Sequence, residues 1–432
     1  MVAGVVSLTP PTSGHNTSLA PLPTPLLIPN ALTRPPRYNS SSRAPRSSPR
    51  PPGYLVGAEI AALRDLSGLR LVRPVERGIV TRWDTQADVW ASVLSADAGL
   101  GGELAGVGRR EVGVLVTEPL GNLLHCRRAM DELVFEWGGF GALLATVSPP
   151  LLLRSTRGSS GAPASAVDEA LGTGLVIDAG FSFTTATPVV RGTPLLPACR
   201  RVDVGGKALT NYLKACLSRG AYALHDETLL VEAIKERTCY VTPSFAAAAA
   251  APRPPAAHYL LPAYTDPAAD PRGRRLAHRS DAPPGEAALS VGRERFTVPE
   301  LLFAPGDLGA PTGGLVDAVA AAVAAAPATT AARLWANVVV GGGGARLPGF
   351  LPRLAAELRS VAPAAMRVRV RAAGGGVGVG GEIPSAEGGE GMTTAAWYGA
   401  AATVADAVGG RRVVTGHTVW LPAPSMRSRV TE

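Results

Sequence analysis

Two stretches of this 432-residue chain join a buried-strand pattern to a glycine turn. That combination lets backbone N–H groups face an anion, or lets a flat ring approach the main chain closely. In VIDAGFSFT the apolar run stops at Asp178, and Gly180 allows a sharp turn. In VVVGGGGARLPGF, Gly341 to Gly344, with Gly342 and Gly343 at the centre, follow three valines. Such turns cradle phosphate and adenosine, and glycine turns after strands also simply reverse the chain. Taken singly, both readings stay open. RVDVGGKALTNYL is more specific, because it links a strand, a Gly-Gly turn ending at Gly206, and a helix start. KERTCYV, with Lys235 and Glu236, closes the next helix. The histidines are scattered without metal-ligand spacing, and neither G-x-S-x-G nor a phosphate-loop lysine motif occurs. His225-Asp226-Glu227 could pass for a catalytic cluster, but at the mouth of a helix its expected role is capping, with Asp226 as N-cap.

Strands alternating with helices must position these turns, which implies an α/β fold. REVGVLVTEPL (110–120) reads as a buried strand, and Met130, Leu133 and Val134 have helical spacing. GLVIDAG (174–180) is a continuous apolar run of the kind buried on both faces. TATPVV (185–190) reads as a strand, and helices are expected over Leu209–Leu217 and Glu227–Cys239. An Ala-rich helix is expected over 314–326, and a short one from Trp397 to Ala407. Low-complexity composition marks residues 1–53 as a disordered, basic Pro/Ser/Arg-rich segment, with order expected from Tyr54, and a Ser/Gly/Ala linker within 154–173. The same composition marks a surface insertion over 244–294 and a Gly-rich loop over 373–391. These boundaries divide the chain into a first lobe (54–153), a second lobe (174–372) and a C-terminal return to the first lobe (392–432).

The net charge of +8 suggests nucleic acid, but its distribution weakens that reading. No acidic residue precedes Glu59, and Arg34, Arg37, Arg43, Arg46 and Arg50 leave only +3 for the rest. A basic arm of this kind can touch phosphates non-specifically; a solvated linker is the preferred reading. The four cysteines are far apart with no C-x-x-C pair, which favours a reducing compartment over a disulfide framework. No apolar run is long enough for a transmembrane helix. The acid-free N-terminus also shares its composition with organellar transit peptides.

Together the blocks resemble the actin family. GIVTRWD (78–84) with Trp90, and VTEPL (116–120) with LVFE (133–136), are similar to its first conserved segments. VIDAGFSFT resembles the second phosphate loop, RVDVGGKALTNYL the loop and helix after it, KERTCYV the adenine-flanking helix, and VVVGGGGARLPGF the adenosine loop. They fall in family order over about 54–407. The resemblance implies a two-lobed actin-like fold. It also implies ATP or ADP held by Asp178 and Gly180 on the phosphate side, with Gly206 lining the cleft. Lys235 and Glu236 would flank the adenine, and Gly342 and Gly343 would lie under the nucleoside. An empty cleft closed by the same loops is the alternative.

DAGFSFT, HDETLL…IKERTCYV (225–241), RFTVPELLFAPGDLG (295–309) and SGLRLVRPVERG (67–78) resemble the nuclear actin-related class. That class implies a nuclear scaffold subunit, with the cytoplasm as alternative, of a chromatin-remodelling complex that exchanges a core histone for its variant. Its partners would be the remodelling ATPase, a zinc-finger HIT-domain subunit and nucleosomal DNA. The pattern departs from actin in three places. The first phosphate loop has no counterpart in residues 1–27, through loss or a wrong start. Pro149 falls at about the position of the water-positioning glutamine, and Phe181 and Ser182 replace acidic and glycine residues. Phosphoryl transfer depends on positioning and charge stabilisation, so the expectation is a non-enzyme. An active ATPase and a filament-forming actin are the rival readings; the insertions argue against filaments.

Overall fold

The computed structural model describes residues 2–6, 26–27, 30–34, 54–94, 109–156, 172–220, 222–252, 254–263, 269–309, 313–374, 392, 395–396, 399–400, 413–416 and 418–420. The structure is α/β and built on two large sheets. The first runs Leu26–Leu27, Val2–Val6, Val413–Gly416, Thr418–Trp420, Gly113–Glu118, Ala142–Val147. In it Gly113–Glu118 and Ala142–Val147 are parallel, with Leu115 opposite Leu144. The second runs Thr193–Pro194, Thr184–Val190, Gly174–Ala179, Val338–Gly341, Val370–Ala372, with Arg200–Val202 also paired to Thr184–Val190.

The GLVIDA run forms the central strand of the second sheet, because strands covered on both faces can be apolar at every position. Leu175, Val176 and Ile177 are fully buried. This strand pairs antiparallel with Thr184–Val190, Asp178 opposite Thr185, and parallel with Val338–Gly341, Asp178 opposite Gly341. Both glycine turns therefore leave the same end of neighbouring strands. The helices Gly206–Leu217, Thr228–Thr238, Leu315–Ala325 and Phe350–Val361 supply Leu213, Ile234, Val319 and Leu354 to one continuous core around this sheet. A smaller core in the first lobe joins Trp90 and Val93 of the helix Trp83–Val93 to Val114, Val116 and Val134.

Several elements differ from expectation. Within 1–53, Val2–Val6 and Leu26–Leu27 pair in the first sheet, and Leu32–Arg34 is the central strand of a small sheet with Leu55–Val56 and Arg70–Val72. Ala31, Leu32 and Thr33 are buried, and the Thr33 hydroxyl donates to Arg70 O at 3.0 Å. A three-residue strand among prolines carries no periodicity, and burial against a partner 37 residues away is what forms it. The remainder of that segment, the linker over 157–171, the loop over 375–391 and most of the Trp397–Ala407 helix lie outside the described residues.

The tract at 244–294 is largely built structure. The helix Phe245–Ala250 is followed by a three-stranded sheet of Arg274–Leu276, Ala257–Leu260 and Ala288–Val291. Tyr259, fully buried, and Val291 attach that sheet to the main core. Asp226 does not cap the following helix. The N-cap residue is Glu227, without a side-chain cap bond, and its carboxylate accepts instead from the Gly68 N–H at 3.0 Å. Among the described residues no single helix is long and apolar enough to cross a membrane.

Candidate functional site

The site lies where the strands Gly174–Ala179 and Val338–Gly341 end. Asp178 is the last polar side chain before the turn, and its Oδ2 accepts from the Ser148 hydroxyl at 2.8 Å. Ser148 opens the helix Ser148–Ser155 directly after the strand Ala142–Val147. Protein packed around Asp178 pushes its carboxyl up from the usual carboxylate range, and the Ser148 bond partly offsets that. No sequence signal marks Ser148; the resemblance puts its neighbour Pro149 at about the position of the water-positioning glutamine. In the structure Pro149 is buried in the first helical turn, where a missing N–H breaks no intrahelical bond. The side chain presented to Asp178 is the serine.

Gly180 closes a tight loop, its N–H donating to Phe183 O at 3.1 Å. The loop then caps the next helix. Gly206 N–H donates to Gly180 O at 3.0 Å, and Lys207 N–H to Phe181 O at 2.8 Å. This tertiary cap is why the helix starts at Gly206 and not at Leu209. Lys235, 7% exposed, lies across that helix start. Its ammonium donates to Thr210 Oγ1 at 2.8 Å and to Gly206 O at 3.3 Å. Gly180, Gly206 and Lys235 are thus one connected group. Glu236 points away, exposed on the same helix.

The two nucleoside-side glycines are not equivalent. Gly342 has φ +91°, and a Cβ there would lie 2.4 Å from Ala179 O and 2.8 Å from Asp178 Oδ1. Its glycine identity is therefore required by the neighbouring strand, whatever else binds. A Cβ at Gly343 would meet nothing within 4 Å, so open space faces that residue.

The aromatic residues of the Asp178 loop have their own partners. The Arg73 guanidinium stands 4.4 Å from the Phe181 ring centroid, and Arg201 stands 3.9 Å from that of Phe183.

The sequence profile of the actin family matches residues 21–378. The chain belongs to the actin family. It is 32% identical over 351 residues to the actin-like protein arp6 of Aspergillus fumigatus, covering 73% of this chain and 74% of that one. It is 34% identical over 319 residues to actin-related protein 6 of Drosophila melanogaster, covering 71% and 76%. Against actin-related protein 6 of Oryza sativa subsp. indica it is 32% identical over 371 residues, covering 77% and 83%. Membership of the actin family suggests nucleotide binding.

The residues fit one end of a nucleotide better than the other. The open face at Gly343 and, separately, the buried Lys235 ammonium whose described bonds are to neutral oxygens suit a nucleoside. On the phosphate side, the N–H groups of Gly180, Gly206 and Lys207 are committed to protein carbonyls. The Ser148 hydroxyl is committed to Asp178, and Phe181 places a ring where a polar loop would offer donors. An anion cradle needs free donors, and these four are taken. Among the described residues no group of three or more His, Cys, Asp or Glu could hold a metal.

Proposed function

We propose that this actin-fold chain is a nuclear, non-catalytic actin-related subunit of a chromatin-remodelling assembly that exchanges a core histone for its variant form. In that reading it is a scaffold. It docks on the remodelling ATPase together with a zinc-finger HIT-domain subunit and helps contact nucleosomal DNA. Similarity to the actin-related protein 6 relatives over most of the chain supports the subunit role. The observation that carries the non-catalytic half is the committed state of the donors around Asp178. Hydrolysis would also need a group to orient water, and Ser148 and Pro149 stand where that group is expected. ATP or ADP, if bound, is held at its nucleoside end by Gly206, Lys235 and Gly343. The sheet and helix built into 244–294 add bulk to the second lobe, which supports a monomeric subunit over a filament.

Affinity purification of a tagged copy from nuclear extract tests the reading. The expected result is co-purification with a remodelling ATPase and elution far above 44 kDa. Recovery only as free chain, or from the cytoplasm or organelles, overturns it. Purified protein should release no phosphate from ATP above background. Turnover abolished by Asp178→Ala would overturn the non-catalytic assignment.

A further inference from the structure

The segment Gly68–Gly78 belongs to the first lobe. Its strand Arg70–Val72 pairs with Leu32–Arg34, and Val72 and Leu32 pack with Val89 of the helix Trp83–Val93. Yet it touches the second lobe at three places along its length. Gly68 N–H donates to Glu227 Oε1 at 3.0 Å. Arg73 covers the Phe181 ring at 4.4 Å, with its Nη2 3.7 Å from Glu232 Oε2. Gly78, at φ +85°, lies against the Phe183 ring so closely that a Cβ would sit 2.3 Å from Cε1. Glu227 and Glu232 are on one helix, and Phe181 and Phe183 are on the loop after Asp178.

We propose that these contacts form an interlobe latch, in which Arg73 seated on Phe181 and Gly78 backed on Phe183 hold the two halves together through contacts within the chain alone. The argument is one of geometry and chemistry. A guanidinium over an aromatic face is attractive when partly shielded from water, and Arg73 has a carboxylate at its other side to fix its direction. The turn at Gly78 can approach the second ring only because it carries no side chain. Phe181, 37% exposed, belongs to neither hydrophobic core, and Arg73 covers its ring face. Lobe closure is then set by the chain itself and does not wait for a ligand to bridge the cleft. This inference needs only the two-lobed fold and stands or falls separately from the proposed complex.

Hydrogen–deuterium exchange on the full chain tests it, read at residues 68–80 and at the loop 180–183. Phe181→Ala and, separately, Arg73→Gln should each raise exchange there by about fivefold, the scale of one cation–π contact, while core strands such as Gly174–Ala179 stay protected. Phe181→Tyr, which keeps the ring, should match wild type. The double variant should exchange no faster than the faster single variant, because both remove the same contact. Millimolar ADP should change wild-type exchange at 68–80 by less than about twofold, an amount corresponding to only a few tenths of a kcal/mol. Unchanged exchange in both single variants, additive effects in the double variant, or wild-type protection that appears only with ADP would each overturn the latch.

Discussion

Exchanging one hydrogen for a methyl group at Gly342 and at Gly343 should give opposite outcomes, although the residues are adjacent and alike in sequence. At Gly342 the backbone sits at φ +91°, ψ 161°, a region essentially reserved for glycine, where another residue costs about 1–3 kcal/mol. The added Cβ would also lie 2.4 Å from Ala179 O and 2.8 Å from Asp178 Oδ1. Neither can give way freely, because Ala179 is locked in the central strand opposite Thr184. Overpacking of this kind adds about 1–3 kcal/mol. Gly342→Ala should therefore cost about 2–6 kcal/mol in all, enough to lower the midpoint of urea unfolding clearly. At Gly343 no atom lies within 4 Å of the new Cβ and φ is not positive, so Gly343→Ala should stay within about 0.5 kcal/mol of wild type. Equal losses in the two variants, or a loss below about 0.5 kcal/mol at Gly342, would refute the assignment of Gly342 to the strand contact.

Three further outcomes follow from the same site. Because the folded state holds the Asp178 carboxyl above its usual range, its ionisation opposes folding as pH rises past about 3.9 and through the folded value. Asp178→Asn keeps an acceptor for Ser148, so it should be at least as stable as wild type at pH 7, with a flatter pH dependence; urea midpoints at pH 4, 5.5 and 7 check this. Ser148→Ala leaves that carboxylate without its donor and should cost about 0.5–1.5 kcal/mol at neutral pH, with the loss smaller at acid pH and in an Asp178→Asn background, where the acceptor is neutral. Lys235→Met removes a buried ammonium whose described partners are neutral, so unfolding should shift by no more than about 1 kcal/mol, while any thermal shift produced by ADP disappears.

The parts of the site that were legible in the sequence are those made by one continuous stretch. Leu175 to Ala179 could be read as a buried strand because every position is apolar up to Asp178, and the glycines after Val340 could only form a turn. What escaped was made by distant residues. The helix at Gly206 is capped by carbonyls of the loop 180–181, so no cap residue marks its start. Ser148 shows no motif, and its role arises because the strand Ala142–Val147 delivers it to Asp178. Leu32–Arg34 and Ala257–Leu260 were hidden in low-complexity composition, since three or four residues show no period until partners from other segments pair with them.

The loop after Asp178 holds residues whose types are legible in the sequence and whose contacts are not. In the sequence, Phe181 and Ser182 read only as losses, an acid and a glycine gone from a phosphate-binding turn, and Phe183 carries no reading. In the structure each ring carries a guanidinium, Arg73 on one and Arg201 on the other, and the turn at Gly78 closes on the second. A carboxylate at position 181 would form an ordinary ion pair with Arg73 and could still compete for water and metal. A phenyl ring can do neither, and the contact it offers is strongest when the cleft is shut and water is excluded. The same substitution that withdraws polar groups from the phosphate side therefore adds an attraction that grows with closure. In the proposed latch, closure of the two halves is set by Arg73 on Phe181 and Gly78 on Phe183, and not by a ligand between them.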